Sequence, residues 1–160
     1  MQIIKKLNPV CQKVLGDAFS FCQQKKNFFV EIEHYLFKGL MTAQADFQDI
    51  LRHYEIDIST VLKQLNAAVD RLKGENHNSP AYSPHLLMVF KNAWYISSVY
   101  LDLPLICSST VLLSLVDYDP LRGIVLENCP LLLRIPRNSF RQDLQNLTRI
   151  NGNKYTHPVQ

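Results

Sequence analysis

VEIEHYLFKGLM, residues 30–41, reads as the start and body of a short amphipathic helix. LICSSTVLLSLV, residues 105–116, has the same build: small or polar residues, then a tight apolar run. If one unit is written twice, its neighbours must repeat too, and they do. Upstream of the first stretch, Cys11, Leu15, Ala18 and Cys22 recur at i, i+4, i+7 and i+11, the stripe of one helical face. Leu86, Phe90, Ala93 and Ser97 repeat that spacing 75 positions on, with aromatic Phe19 and Trp94 in one register. Shifted by 76, His34-Tyr35-Leu36-Phe37 falls on Thr110-Val111-Leu112-Leu113. Downstream, ADFQDILRHYEI (45–56) is matched by DPLRGIVLENC (119–129), and STVLKQLNAAVDRLKG (59–74) by NSFRQDLQNLTRI (138–150). The fold expected is all-α: two four-helix repeats of about 75 residues.

The edges of the unit follow from turn chemistry. Asn8-Pro9 places a good cap before a residue suited to the first helical position, so a helix starts there. Ahead of it, Ile3, Ile4 and Leu7 share one face of an extra short helix. FFV, 28–30, is read as an extended entry to the second helix. GENHNSPAYSP, 74–84, has no periodic apolar face and separates repeat one (9–74) from repeat two (83–150). LLLRI, 131–135, is the best strand candidate and is read as a link between helices. Residues 1–150 form one domain in this reading, and NGNKYTHPVQ, 151–160, a linker or disordered tail.

Composition excludes several classes of function. A chain of 160 residues, 47% hydrophobic and 19% charged, can bury a core without disulfide or metal staples. Its net charge of +3 is spread out, with no basic run to track phosphates, so no nucleic-acid partner is expected. No segment approaches ~18 uninterrupted apolar residues, and the start lacks a signal peptide's long apolar stretch; no membrane partner is expected. Cys11, Cys22, Cys107 and Cys129 sit in apolar patterns, as small core residues do in a reducing compartment, which points to the cytoplasm. A Cys22–His34 nucleophile pair would need a third, orienting group, and Cys22 belongs to a core stripe. His34, His53, His77 and His85 offer no metal-ligand spacing. No catalytic residue, metal or cofactor is assigned; Glu31, Glu33 and His34 are read as capping a helix start.

Binding is the better prospect. With Val10 at zero and 100° per residue, the stripe 11, 15, 18, 22 spans about 80° to 140°. Val10, Val14 and Phe21 cluster at about 0° to 40°, beside that stripe, and Val89 and Ile96 hold the equivalent side of repeat two. This second apolar strip has two readings. It packs the halves together or covers the leading helix, as wide apolar faces commonly do. Alternatively part of it stays open, with Ile3, Ile4 and Leu7 as a wall and Val10, Val14, Val89 and Ile96 as a floor. A partner's amphipathic helix would fit such a groove. Lys5, Lys6 and Lys13 lie near its rim.

The EH-Y-L-F helix of repeat one, PAYSPHL opening repeat two and the AW pair after it together resemble the Clp amino-terminal domain, over about residues 1–150. IIKKLNPVCQKVLGDAFSFC, with a short helix ahead of LNP, is similar to the ClpV-like branch, found on ATPases of bacterial type VI secretion. Two departures stand out: Gly39 where the pattern usually has Leu, and Thr110 where it often has His. The resemblance implies an all-helical binding module of two pseudo-twofold-related four-helix repeats, in front of ATPase rings that are themselves absent here, since no GxxxxGK[ST] loop occurs. It implies a bacterial cytoplasmic protein whose isolated domain is a monomer and whose parent is a hexamer. The implied partner is a helical peptide near the amino terminus of the larger sheath subunit, met by Ile3, Ile4, Leu7, Val10 and Val14, with Val89 and Ile96 from the corresponding apolar patch of Clp relatives. An alternative within the family is an amino domain that binds an adaptor or unfolded chains.

Overall fold

The computed structural model describes residues 3–156, and the side chains of 3–147. A 3-10 turn, Ile3–Lys6, leads into α1 (Pro9–Gln24), β1 (Phe29–Val30), α2 (Ile32–Leu40), α3 (Phe47–His53) and α4 (Ile58–Asp70). Repeat two follows the same order: β2 (Ala81–Tyr82), α5 (Pro84–Tyr95) continued by a π-turn (Ile96–Tyr100), α6 (Ser108–Asp117), α7 (Asp119–Asn128) and α8 (Arg137–Thr156). The stretch 131–135 is not a strand; Pro130–Arg134 is a 3-10 turn between α7 and α8. Helix α8 runs through residue 150 to Thr156, so 151–156 are helical where a linker or disordered tail was expected; 157–160 lie outside the described residues.

The pseudo-twofold is visible in single hydrogen bonds. Asn8 and Ser83, 75 apart, each precede a proline and cap their helices, accepting from the amides of Cys11 (2.8 Å) and Leu86 (3.0 Å). Their own amides donate across the molecule: Ser83 to the Val30 carbonyl at 3.0 Å, and Asn8 to that of Ile106 at 2.9 Å. The small parallel sheet, Val30 beside Tyr82, is thus answered by a bridge between Ile106 and Leu7. Each repeat reaches into the other in the same way. Leu7 is buried for this reason: it holds the place of Tyr82 in the opposite repeat.

Helices α2 and α6 are the hub. Every residue from Ser108 to Val116 is buried, and in α2 only Phe37 and Lys38 keep appreciable exposure. Both helices start alike. His34 Nδ1 accepts from the Glu31 amide at 2.9 Å, and Thr110 Oγ1 from the Cys107 amide at 3.2 Å. Histidine and threonine differ in shape yet supply the same acceptor, which accounts for the departure at position 110. With Nδ1 accepting, His34 Nε2 carries the proton and donates to Asn27 Oδ1 at 2.9 Å. Glu33 does not cap. Its Oε1 accepts from Asn128 Nδ2 at 2.8 Å, tying α2 to α7, and burial raises its pKa.

Candidate binding cleft

The two core stripes stand where the repeat places them: Cys11, Leu15, Ala18 and Cys22, with Leu86, Phe90, Ala93 and Ser97, are all buried. The flanking strip is also mostly core, contrary to the open-groove expectation. Val14 and Val89, 75 apart, expose 0% and 1% of their surfaces. The reason is tertiary: α1 packs along α2 and α5 along α6, so the side of each helix next to the core stripe is covered by its neighbour. Leu7, Val14 and Val89 therefore offer no surface to a partner. Ile3, Ile4 and Val10 are half-buried against the core. They sit with the leading turn, which packs on α5, where Lys6 Nζ lies 4.8 Å from the Trp94 ring centre. Lys13 is engaged by Asp17 at 3.0 Å.

Ile96 is buried but faces a different feature. It is two residues beyond Trp94, about 200° round a helix, so it points away from the leading-turn seam. There it forms the floor of a cleft of about 430 Å³ with Leu113 and Leu144, walled by Tyr95, Tyr100 and Tyr118. The seven residues assigned from the sequence thus fall into three places: the core, the seam and this cleft.

The cleft closes at one end on charge. Arg137 and Arg141, one turn apart on α8, both bind Asp117, the last residue of α6; Arg137 Nε reaches Oδ1 at 2.9 Å and Arg141 Nε reaches Oδ2 at 3.1 Å. Arginines near a helix amino terminus oppose the helix dipole, so Asp117 gives them their reason to be there. Burial pushes the Asp117 carboxyl up, but the two guanidinium groups outweigh it and hold it below the usual carboxylate range.

Repeat one contains the equivalent cleft, about 400 Å³, and it serves as an internal control. Asp17, Ser20, Phe21, Met41 and Thr42 line it where Asn92, Tyr95, Ile96, Asp117 and Tyr118 line its counterpart. The repeat-one cleft is dressed for water: Lys13 pairs with Asp17, and Lys38 Nζ lies 5.1 Å from the Phe21 ring centre. The repeat-two cleft has its own ion pair, Asp117 with Arg141, but its walls carry exposed aromatics: Tyr95 52%, Tyr100 65% and Tyr118 38% exposed. Clustered exposed aromatics around a concave apolar floor mark a contact site. Of the residues assigned from the sequence, Ile96 alone lies in this cleft; Tyr95, Tyr100 and Tyr118, which also line it, were not assigned. The comparison of Ser20 with Tyr95, and of Thr42 with Tyr118, is the signal that was available.

The thiols are not candidates for chemistry. Cys11, Cys22, Cys107 and Cys129 are all free and buried. Burial pushes Cys11 up to about 12 and Cys22 and Cys129 up to about 11, the wrong direction for a nucleophile. Among the described residues, no helix is long and apolar enough to cross a membrane.

Comparison with known proteins agrees with this architecture. Over 94 residues, 59% of the chain, it is 29% identical to the AAA+ ATPase ClpV1 of Pseudomonas aeruginosa. Over 144 residues, 90% of the chain, it is 24% identical to the chaperone protein ClpB of Yersinia enterocolitica. These alignments cover only 10% and 16% of those two proteins, so the chain corresponds to a small part of each. A structure from work on coevolution of the ATPase ClpV, the TssB-TssC sheath and the accessory HsiE protein superposes with a TM-score of 0.86 at 20% identity, covering 91% of this chain and 90% of that one. A complex of a ClpV N-domain with a VipB peptide gives 0.73 at 22% identity, covering 95% and 91%. The sequence model of the Clp repeat (R) N-terminal domain matches residues 6–122, and the chain belongs to that family.

Proposed function

We propose that this domain is the protein-recognition module of a ClpV-like AAA+ ATPase, and that it binds a helical peptide of the type VI secretion sheath. The observation that carries the reading is the asymmetry between equivalent clefts: each has a charged pair, but where one presents Ser20 and Thr42 the other presents Tyr95 and Tyr118 over Ile96 and Leu113. An amphipathic helix presents anchors at i, i+3, i+4 and i+7, which suits a short apolar trough with aromatic walls. A relative's domain forms a complex with a VipB peptide, which supports a peptide as the occupant. State selectivity then needs no chemistry in the domain. A sheath helix hidden before contraction and exposed after it would be bound only when exposed, and handed to ATPase rings outside this chain.

Calorimetric titration with a synthetic amino-terminal peptide of the larger sheath subunit tests the reading. Wild type should bind, Tyr118→Asp should weaken binding at least tenfold, and Met41→Asp in the repeat-one cleft should leave it unchanged. Wild type that does not bind the peptide would remove the proposal. A second reading places the peptide on the leading-turn seam, favoured by the partly exposed Ile3, Ile4 and Val10. In that case Ile4→Asp, not Tyr118→Asp, abolishes binding.

A further inference from the structure

The two repeats keep a constant offset through their first helices and then slip by one. Cys22 and Ser97 are 75 apart, and each carbonyl accepts from an amide beyond the helix end: Asn27 to Cys22 at 3.1 Å, Leu103 to Ser97 at 2.8 Å. Asn27 and Leu103 are 76 apart, however, as are Lys26 and Asp102, which share a left-handed backbone at φ 57° and 52°. One extra residue therefore lies between Ser97 and Leu101. Repeat one closes that interval as ordinary α-helix ending at Gln24. Repeat two absorbs the surplus as the π-turn, in which the Leu101 amide donates to the Ile96 carbonyl five residues back at 3.2 Å.

The consequence falls on the cleft. In an α-helix, residues five apart point about 140° away from each other. In a turn that closes at i+5, the fifth residue comes back over the first. Tyr95 and Tyr100 are accordingly edge-to-face, with ring centres 5.7 Å apart and planes at 85°, although both remain about half or more exposed. An exposed aromatic pair held rigid by backbone winding is a preformed wall, since few rotamers are left to freeze when a ligand arrives. The closing hydrogen bond beyond the helix end is kept in both repeats, with and without the extra residue.

We propose that the single-residue expansion at Ser98–Tyr100 is the specificity element of this domain, converting the repeat-two cleft into an aromatic-walled seat for an amphipathic helix. The proposal rests on the peptide-recognition reading and names the element that gives one cleft the role and denies it to its twin. Two residues follow as specificity determinants, Tyr95 and Tyr100. Val99 is the spacer whose removal restores the repeat-one interval.

The test is fluorescence anisotropy of the labelled sheath-subunit peptide with wild-type domain, a Val99 deletion and Tyr100→Ala. The Val99 deletion should stay folded by circular dichroism and lose affinity by tenfold or more. Tyr100→Ala, which leaves the winding intact, should lose about five- to tenfold. A folded Val99 deletion that binds like wild type overturns the proposal. If the deletion fails to fold, Tyr100→Ala decides, and wild-type affinity in that variant overturns it equally. Wild type that does not bind the peptide sinks the recognition reading itself, whereas binding unaffected by both variants sinks only the role of the π-turn.

Discussion

Gly39 sits inside α2, where glycine costs about 1 kcal/mol relative to alanine on propensity alone. A Cβ there would lie 2.6 Å from two carbons of the Phe47 ring, and Phe47 is fully buried. The close approach of α3 to α2 outweighs propensity, so Gly39→Ala should lower the melting temperature, by several degrees if the ring cannot shift; a rise would show that it can. His34 makes a second prediction at this scale. Burial pulls its pKa down to about 4 from an ordinary 6.5, and its cap uses a bare Nδ1. A histidine whose folded pKa is lowered takes up its proton more readily when unfolded, so stability is lost as pH falls from 6.5 towards 4. Glu33, with a raised pKa, pulls the other way over the acid range. His34→Thr copies the Thr110 cap without a titrating group. Urea unfolding across that interval should show a shallower acid loss in the variant than in wild type; equal slopes would contradict the assignment.

At the scale of elements, the helix periods and the caps at Asn8 and Ser83 were legible because each is a local property. The side strip was not. A helical wheel separates Val14 from the stripe of Cys11 and Leu15 by angle, but only α2 lying alongside decides that both angles are inside. The equal burial of Val14 with Val89, and of Phe21 with Ile96, shows the repeat applying the same rule twice. Val14→Asp should therefore unfold the domain: a carboxylate with no partner in a sealed site costs on the order of 3–5 kcal/mol or more, against a total of roughly 5–15. Ile4→Asp, in a half-exposed leading turn, should cost about 1 kcal/mol and leave the helical circular dichroism intact. If Val14→Asp folds normally, α1 is not packed as described.

The whole molecule is two copies of one helical unit, each pairing a short extended segment with the other. That duplication was readable from the 75-residue offset because core stripes and caps are held to the same chemistry in both halves. What distinguishes the halves was not readable. Whether Tyr95, Tyr100 and Tyr118 are buried or exposed depends on how far α8 and the π-turn stand from α6, and no single-helix pattern encodes that distance. The proposed function follows from where the symmetry is broken: Lys13, Asp17 and Lys38 cover one cleft, while tyrosines stand around the other, beside its Asp117–Arg141 pair. The most direct measurement is a two-dimensional amide NMR titration of the labelled domain with the sheath-subunit peptide. The account predicts shift changes concentrated at Tyr95, Ile96, Tyr100, Leu113 and Tyr118, with Phe21, Met41 and Thr42 silent. Changes centred on the repeat-one cleft, or equal in both, would contradict it.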